Sequence, residues 1–302
     1  MVNEIKVTPI THCGTIALVG APNVGKSTLL NRLIGQKISI TSRKAQTTRH
    51  SIIGVNTVKD CQIIYVDTPG IHCWQKRAMN RVMDRTASAA MRGVDGLVFM
   101  VNGLFWGEDD DLVLTRLQNF KGPIILAINK VDLIPDKKKL LPYLQQLQAK
   151  MNVANLIPIS AKQGDNIDKL EQAMMAALPP GTHLFAADQV TDRSSRFIAS
   201  ELIREKIFRL TGQELPYAST VEIEQFKLHN KVYHIDALIW IERPSQKSMI
   251  IGKGGARLKQ IGTQARIDLE KMLEQKVFLK LWVKVKSGWS NDDHSLREFG
   301  YG

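Results

Sequence analysis

Along the first 180 residues, short fully apolar runs alternate with stretches of helical period. Residues 14–21, GTIALVGA, form one such run, and the NVGKSTLLNRLIG that follows repeats its leucines at helical spacing, with Gly35 as a stop. QIIYVDTPG, PIILAINKVDL and LIPIS repeat the apolar pattern further on. Apolar runs of this kind suit strands buried on both faces. Their alternation with helices across residues 14–178 predicts an α/β domain with a mainly parallel sheet covered by helices on both faces. In such sheets ligands gather at the carboxyl ends of the strands.

The pattern then changes. ALPPGTHLFAADQVTDRS is rich in Pro, Gly and Asp and reads as a connector, so the first domain is expected over residues 1–182, a linker over 183–192 and a second domain over 193–302. SSRFIASELIREKIFRLTG predicts an amphipathic helix stopped by Gly212. STVEIEQFKLH and KVYHIDALIWIE alternate apolar and polar residues around His229-Asn230, the pattern of an antiparallel hairpin. SMIIGKGGARLKQIGTQARIDLEKML predicts a short helix, a glycine-rich loop and a second helix, and VFLKLWVKVKSG a last strand. This order predicts an α+β domain.

Composition narrows the function classes. The 302 residues suffice for two cores. Net charge is +12, and between Arg243 and Lys286 eleven basic residues face three acidic ones, which favours a polyanionic partner. No apolar run approaches the roughly 18–20 residues a spanning helix needs, and the first twenty residues lack a signal-peptide core, so export and membrane insertion are not expected. Cys13, Cys61 and Cys73 are an odd number without C-x-x-C spacing, and no histidines show metal-ligand spacing. Reduced thiols in a cytoplasmic protein are expected.

Four motifs carry chemistry in the first domain, all at strand ends. Gly20-Ala21-Pro22-Asn23-Val24-Gly25-Lys26-Ser27 matches the phosphate-binding loop in its strand-to-helix context. Backbone N–H groups there can wrap phosphates, Lys26 can neutralise them, and the Ser27 hydroxyl can ligate Mg2+. Asp67-Thr68-Pro69-Gly70 puts a carboxylate where it can hold the metal and an amide where it can sense a γ-phosphate. Asn129-Lys130-Val131-Asp132 selects the base, because a carboxylate accepts two hydrogen bonds from guanine that adenine cannot supply. Ser160-Ala161-Lys162 can offer backbone N–H groups to the guanine oxygen. GTP and GDP are the expected ligands.

Between the first two motifs, ISITSRKAQTTRHSIIG has the character of a mobile loop that closes over the γ-phosphate, with Thr47 and Thr48 as candidates and Thr48 as the Mg2+ ligand. Residues 71–92 are expected to form the second switch and its helix, ordered by the γ-phosphate. Ile71 stands where many switch GTPases carry the glutamine that orients water, and an aliphatic side chain cannot do so. Catalysis is then expected from the phosphate loop, Mg2+, Thr48, the Gly70 amide and a monovalent cation such as K+. Asn23 is the candidate K+ ligand, with a turn-stabilising role as the alternative.

In the second domain, Ile250-Ile251-Gly252-Lys253-Gly254-Gly255 resembles the KH motif. There a G-x-x-G loop lets the backbone approach about four nucleotides. Lys253, Arg257 and Lys259 are candidates for phosphate contact, while Ile250 and Ile251 either line the groove or pack in the core. Lys284, Lys286 and Trp289 extend this face or are solvated lysines beside a core tryptophan. Lys137, Lys138 and Lys139 read as a solvated run.

Gln46-Thr47-Thr48-Arg49-His50, DTPGIH, IIGKGG, LWVKVKSGW over 281–289 and Val190-Thr191-Asp192-Arg193-Ser194 together resemble the Era family of the TRAFAC-class GTPases, over nearly the whole chain. Cys73-Trp74 departs from the acidic or polar residues usual there. The resemblance implies a type II KH domain and a cytoplasmic, monomeric GTPase loosely associated with the inner membrane. It implies binding to the 3′ end of 16S rRNA through the KH domain, with a role in assembly and maturation of the 30S subunit. GTP would favour exposure of the KH groove, and RNA would stimulate hydrolysis. Two alternatives are a non-enzymatic, nucleotide-stabilised RNA chaperone and another translation or RNA-modification GTPase.

Overall fold

The computed structural model describes residues 11–42, 44, 46–71, 78–212 and 215–301. The first domain runs β1 (His12–Gly20), α1 (Lys26–Ile34), β2 (Ile52–Val58), β3 (Cys61–Asp67), α2 (Ala78–Ala90), β4 (Gly96–Asn102), α3 (Glu108–Leu117), β5 (Ile124–Asn129), α4 (Leu140–Lys150), β6 (Asn155–Pro158) and α5 (Ile167–Ala176). The six strands form one sheet in the order β2-β3-β1-β4-β5-β6, parallel except for β2 against β3. Side chains alternate between two cores. Ile16 and Leu18 pack with Leu29, Leu30, Leu170 and Met174 of α1 and α5, while Ala17 and Val19 pack with Val113 and Leu147 of α3 and α4. Both faces are covered, as the continuous apolar runs require.

The second domain follows with α6 (Ser195–Leu210), β7 (Ser219–His229), β8 (Val232–Ile241), α7 (Pro244–Ile251), α8 (Ala256–Leu273), β9 (Lys276–Val285) and α9 (Asp293–Glu298). Its sheet has the order β7-β8-β9, with β7 antiparallel and β9 parallel to β8. The β7–β8 turn is Asn230-Lys231, both at positive φ, the geometry of the tight turns that suit twisted strands. Ile198, Leu202 and Ile203 of α6 join Ala265 and Leu269 of α8 and Ile235 and Ala237 of β8 in the core.

Three expectations change. The connector is no free tether: the Val55 amide donates to the Val190 carbonyl, the Thr191 hydroxyl to Ile53, and Gln62 accepts from the Leu184 and Phe185 amides. The helix α6 is buried on its charged side too, where Glu201, Arg204, Glu205 and Lys206 are covered. Lys37, Thr41 and the Thr47 carbonyl meet Glu205 and Arg204, while Lys206 pairs with Asp268 of α8, and Ile38, Ile40, Thr47, Thr48 and Arg49 are themselves buried.

Candidate functional site

Every first-domain motif lies at the carboxyl edge of the parallel strands. The phosphate loop joins β1 to α1 with Gly25 at φ 108°, and a Cβ there would stand 2.2 Å from the Asn129 amide nitrogen. Only glycine allows that approach. Asn129 uses it: its Nδ2 donates to the Val24 carbonyl at 2.7 Å, and its Oδ1 accepts from the Ala161 amide at 2.9 Å. One buried side chain thus fastens the phosphate loop to the S-A-K loop. The Ser160 hydroxyl donates to Asp132 Oδ1 at 2.7 Å, orienting the carboxylate expected to read guanine. Val131 is buried beneath it, and Lys130, at φ 66°, is half-buried, its pKa lowered first by desolvation and partly restored by Asp132.

Lys26 is buried, and its ammonium donates to the carbonyls of Gly20 at 3.0 Å and Ala21 at 2.9 Å. Desolvation lowers its pKa to about 8, against the opposing pull of Asp67 and Asp110. Pro22 and Asn23 form the outer rim of the loop, Asn23 at φ 62°. Gly70 passes so close to Pro22 that a Cβ would lie 2.8 Å from its Cα, and the Ile71 amide donates to the Gly20 carbonyl at 3.3 Å. Thr68 donates to the Leu18 carbonyl. The Ile71 side chain is buried with Ala17, Val19 and Val66, turned into the core. Of the expected second switch, α2 is described, while His72, Cys73 and Trp74 lie outside the described residues.

Asp67, Ser27 and Thr48 converge. The Ser27 hydroxyl lies 2.7 Å from both Asp67 Oδ2 and Thr48 Oγ1, and Ser39 also donates to Asp67 Oδ2, at 2.9 Å. Asp67 Oδ1 is buried without a hydrogen-bond partner, and burial raises the carboxyl pKa. Three hard oxygen donors around an orphaned carboxylate oxygen fit a small, hard cation such as Mg2+ that keeps part of its water shell. The geometry separates the two threonines. Thr48 faces this cluster, whereas the Thr47 hydroxyl donates to the Lys44 carbonyl.

Beyond Thr48 the chain enters the second domain. The Arg49 guanidinium donates to the Ser219 carbonyl at 2.9 Å, the Tyr217 carbonyl at 3.3 Å and the Tyr301 hydroxyl at 3.2 Å. It also lies 5.7 Å from the Tyr301 ring and 5.9 Å from that of Trp289. His50 stacks on Tyr301 at 4.6 Å, and burial lowers its pKa to about 4. Arg204 holds the Thr47 carbonyl at 2.6 Å and pairs with Glu201, both side chains buried. Glu205 accepts from the Thr41 amide and from Lys37. Met79, Val82 and Met83 of α2 pack against Trp289, Leu296 and Tyr301. The sequence offered a signal for this interface in the charge cluster Glu201, Arg204, Glu205 and Lys206 of the predicted amphipathic helix, but not its destination.

The G-x-x-G loop connects α7 to α8, with Gly252, Gly254 and Gly255 all at positive φ and open space where a Cβ of Gly254 or Gly255 would lie. Lys253 and Lys259 are exposed, and the Arg257 guanidinium donates to the Met249 carbonyl at 2.7 Å. Ile250 is a correction: it is fully buried with Ile207, Ile239 and Ile261, so its side chain belongs to the core and only Ile251 keeps exposed surface. Trp289 is likewise fully buried, donating to the Ala218 carbonyl. Among the described residues no cluster of His, Cys, Asp and Glu suits a metal and no helix is long and apolar enough to cross a membrane. Cys13 and Cys61 are free thiols, and Cys73 lies outside the described residues.

Comparison with known proteins agrees with this geometry. Residues 15–130 match the family model of the 50S ribosome-binding GTPases, and residues 214–290 that of the KH domain. GTPase Era from Haemophilus influenzae is 56% identical over 292 residues, covering 96% of this chain and 97% of that one. GTPase Era from Pasteurella multocida is 55% identical over 302 residues, covering 99% of each. Among solved structures, an Era variant from Aquifex aeolicus bound to GDP·AlF4− superposes with a TM-score of 0.94 at 38% identity, over 97% of this chain and 100% of that one. Era in complex with MgGDPNP and nucleotides 1506–1542 of 16S ribosomal RNA gives 0.93 at 38% identity, over 97% and 99%. The chain belongs to the Era family of GTPases, a P-loop GTPase domain followed by a KH domain.

Proposed function

We propose that this GTPase is a switch whose γ-phosphate-sensing segment is shared with its RNA-binding domain, and that it binds the 3′ end of 16S rRNA during assembly and maturation of the 30S subunit. The observation that supports this reading is the continuity from Thr48, beside Ser27 and Asp67, to Arg49 and His50, buried against Tyr301. The rRNA partner rests on the solved Era complex and on the exposed Gly252-Lys253-Gly254-Gly255 loop. Domain limits of 1–182, 183–192 and 193–302 are supported by the end of α5 at Ala176 and the start of α6 at Ser195.

In the bound state, backbone N–H groups from Gly20 to Ser27 wrap the phosphates and Lys26 shifts from loop carbonyls to the terminal phosphates. Ser27, Thr48 and Asp67 would hold Mg2+, which would supply charge neutralisation at the phosphates. Asp132 reads the base, with Asn129, Lys130, Ser160, Ala161 and Lys162 supporting its pocket. With Ile71 in the core, orientation of the attacking water falls to backbone groups near Thr48 and Gly70, with Asn23 on the rim as the proposed K+ ligand. Ile251, Lys253, Arg257 and Lys259 contact RNA around the glycine loop. The protein works as a monomer in the cytoplasm or on the cytoplasmic face of the inner membrane.

The test is GTP hydrolysis with and without an oligonucleotide copied from the 16S rRNA 3′ end, for the natural chain, Gly254→Asp and Lys26→Ala. RNA should accelerate the natural chain and leave Gly254→Asp unchanged, and Lys26→Ala should hydrolyse GTP on the order of a hundredfold to a thousandfold less efficiently. Equal rates with and without RNA in the natural chain would refute the coupling.

A further inference from the structure

Two faces of the KH sheet differ in what they are covered by. The inward residues of β9, Val277, Leu279, Leu281 and Val283, pack in the core with α6 and α8. The strand's other side, read in order, is Lys276, Phe278, Lys280, Trp282 and Lys284, all exposed. Phe278 keeps 47% and Trp282 43% of its surface in solvent, unusual for large aromatics with no covering element. Register extends the ring surface sideways to His234 of β8, opposite Phe278 with rings 5.5 Å apart, while Leu238, opposite Trp282, is buried.

The charges on this face are mixed but not evenly paired. Glu222 accepts from the Trp240 indole, Glu224 stands 4.0 Å from Lys284, and Glu298 pairs with Lys286. Asp236 lies opposite Lys280 in register. Among the described residues, neither Lys276 nor Lys280 has a carboxylate within 4.0 Å; the Lys280 ammonium instead lies 5.3 Å from the Phe278 ring. Two ammonium groups with no carboxylate at salt-bridge distance thus alternate with two open rings on one side of one strand, neighbouring positions about 6.6 Å apart and like groups about 13 Å apart. An apolar protein surface would cover the rings and strand the ammonium groups in a dry interface. Single-stranded RNA matches both, since bases stack on rings while phosphates meet ammonium groups.

We infer that the open face of the KH sheet is a second RNA surface, on which bases stack against Phe278 and Trp282 with phosphates on Lys276 and Lys280. The inference rests on the RNA-binding reading above. It adds a stacking platform on the opposite side of the strand whose inner face packs on α8, the helix that begins at the glycine loop. An RNA longer than the groove continues across β9 and onto this platform.

The experiment compares two RNAs by fluorescence anisotropy at several salt concentrations: a short one of about four nucleotides, sized to the groove, and one copied from the last forty or so nucleotides of 16S rRNA. Variants are Phe278→Ala, Trp282→Leu and the double change Lys276→Gln with Lys280→Gln, beside Gly254→Asp. Each aromatic change should weaken the long RNA roughly tenfold and leave the short RNA unaffected. The double lysine change, on exposed side chains that carry no fold, should flatten the salt slope for the long RNA by about 1.4. Long-RNA binding unchanged in all three would overturn the platform. Loss of both RNAs in Gly254→Asp with that result would leave the groove standing, whereas failure of the natural chain to bind either RNA would overturn the RNA-binding reading itself.

Discussion

The two halves of the nucleotide site are anchored in different domains. The base and phosphate half is fastened within the first domain: Asn129 ties the phosphate loop to the S-A-K loop, and Ser160 orients Asp132. The γ-phosphate half is fastened outside it. Arg204 and Glu205 of α6 hold the backbone of Thr47 and Thr41, and Arg49 and His50 lodge against Tyr301, near the chain's end. A GDP-like ligand therefore needs contacts the first domain makes alone, whereas closing Thr48 onto a γ-phosphate moves a segment that the KH domain grips. In the proposed function, coupling between nucleotide and RNA rests on which side chains anchor which loop.

The largest effect comes from breaking that grip at its buried ion pair. Arg204→Ala leaves Glu201 charged in a dry site and should destabilise the chain by about 3–5 kcal/mol, seen as a lowered denaturant midpoint. Lys26→Ala strikes the other half and should cost on the order of a hundredfold to a thousandfold in kcat/KM for GTP with native stability retained.

Protons sharpen the contrast. Burial holds His50 neutral with a pKa near 4, among Glu201, Arg204, Arg193 and Arg49. Its folded pKa lies below the unfolded value of 6.5, so only the unfolded chain takes up a proton as pH falls from 6.5 towards 4. Stability should therefore drop across that window by about 3 kcal/mol, and His50→Phe, which keeps the stack, should flatten the slope. Lys26 acts in the opposite range. Phosphate binding needs its ammonium, which the free protein begins to lose near pH 8. GTP affinity should fall by about tenfold per pH unit above 8, with proton uptake on binding measurable by titration in buffers of different ionisation enthalpy. The smallest effect is Tyr301→Phe, which removes the hydroxyl shared by Arg49 and Thr220 but keeps the ring on His50. It should lower kcat by roughly fivefold with KM unchanged, read in steady-state hydrolysis.

What the sequence showed divides along the same line. Phosphate and base motifs are local: spacing within a few residues of a strand end determines their chemistry, and each falls where the parallel sheet puts it. Four strands were legible from motifs, while the edge strand Ile52–Val58 and the motif-free Gly96–Asn102 emerged only in the sheet. Segment 38–54 read as a mobile loop over the γ-phosphate, without its hold on the second domain, because Thr47, Arg49 and His50 find their partners more than 150 residues away in the chain. The same non-locality hid the fate of α6, whose charged stripe reads as solvated until the switch segment covers it. Ile250 and Trp289 were undecided for a different reason, since core and groove residues share one composition and only burial separates them.

The most direct test of the shared anchor is nucleotide preference in Arg49→Met, measured as GDP and non-hydrolysable GTP analogue affinities against the natural chain. The account predicts GDP affinity within about twofold of natural and a loss of roughly tenfold in preference for the triphosphate, because only γ-phosphate capture draws on the KH domain's hold. Equal weakening of both nucleotides, or no change in their ratio, would contradict it.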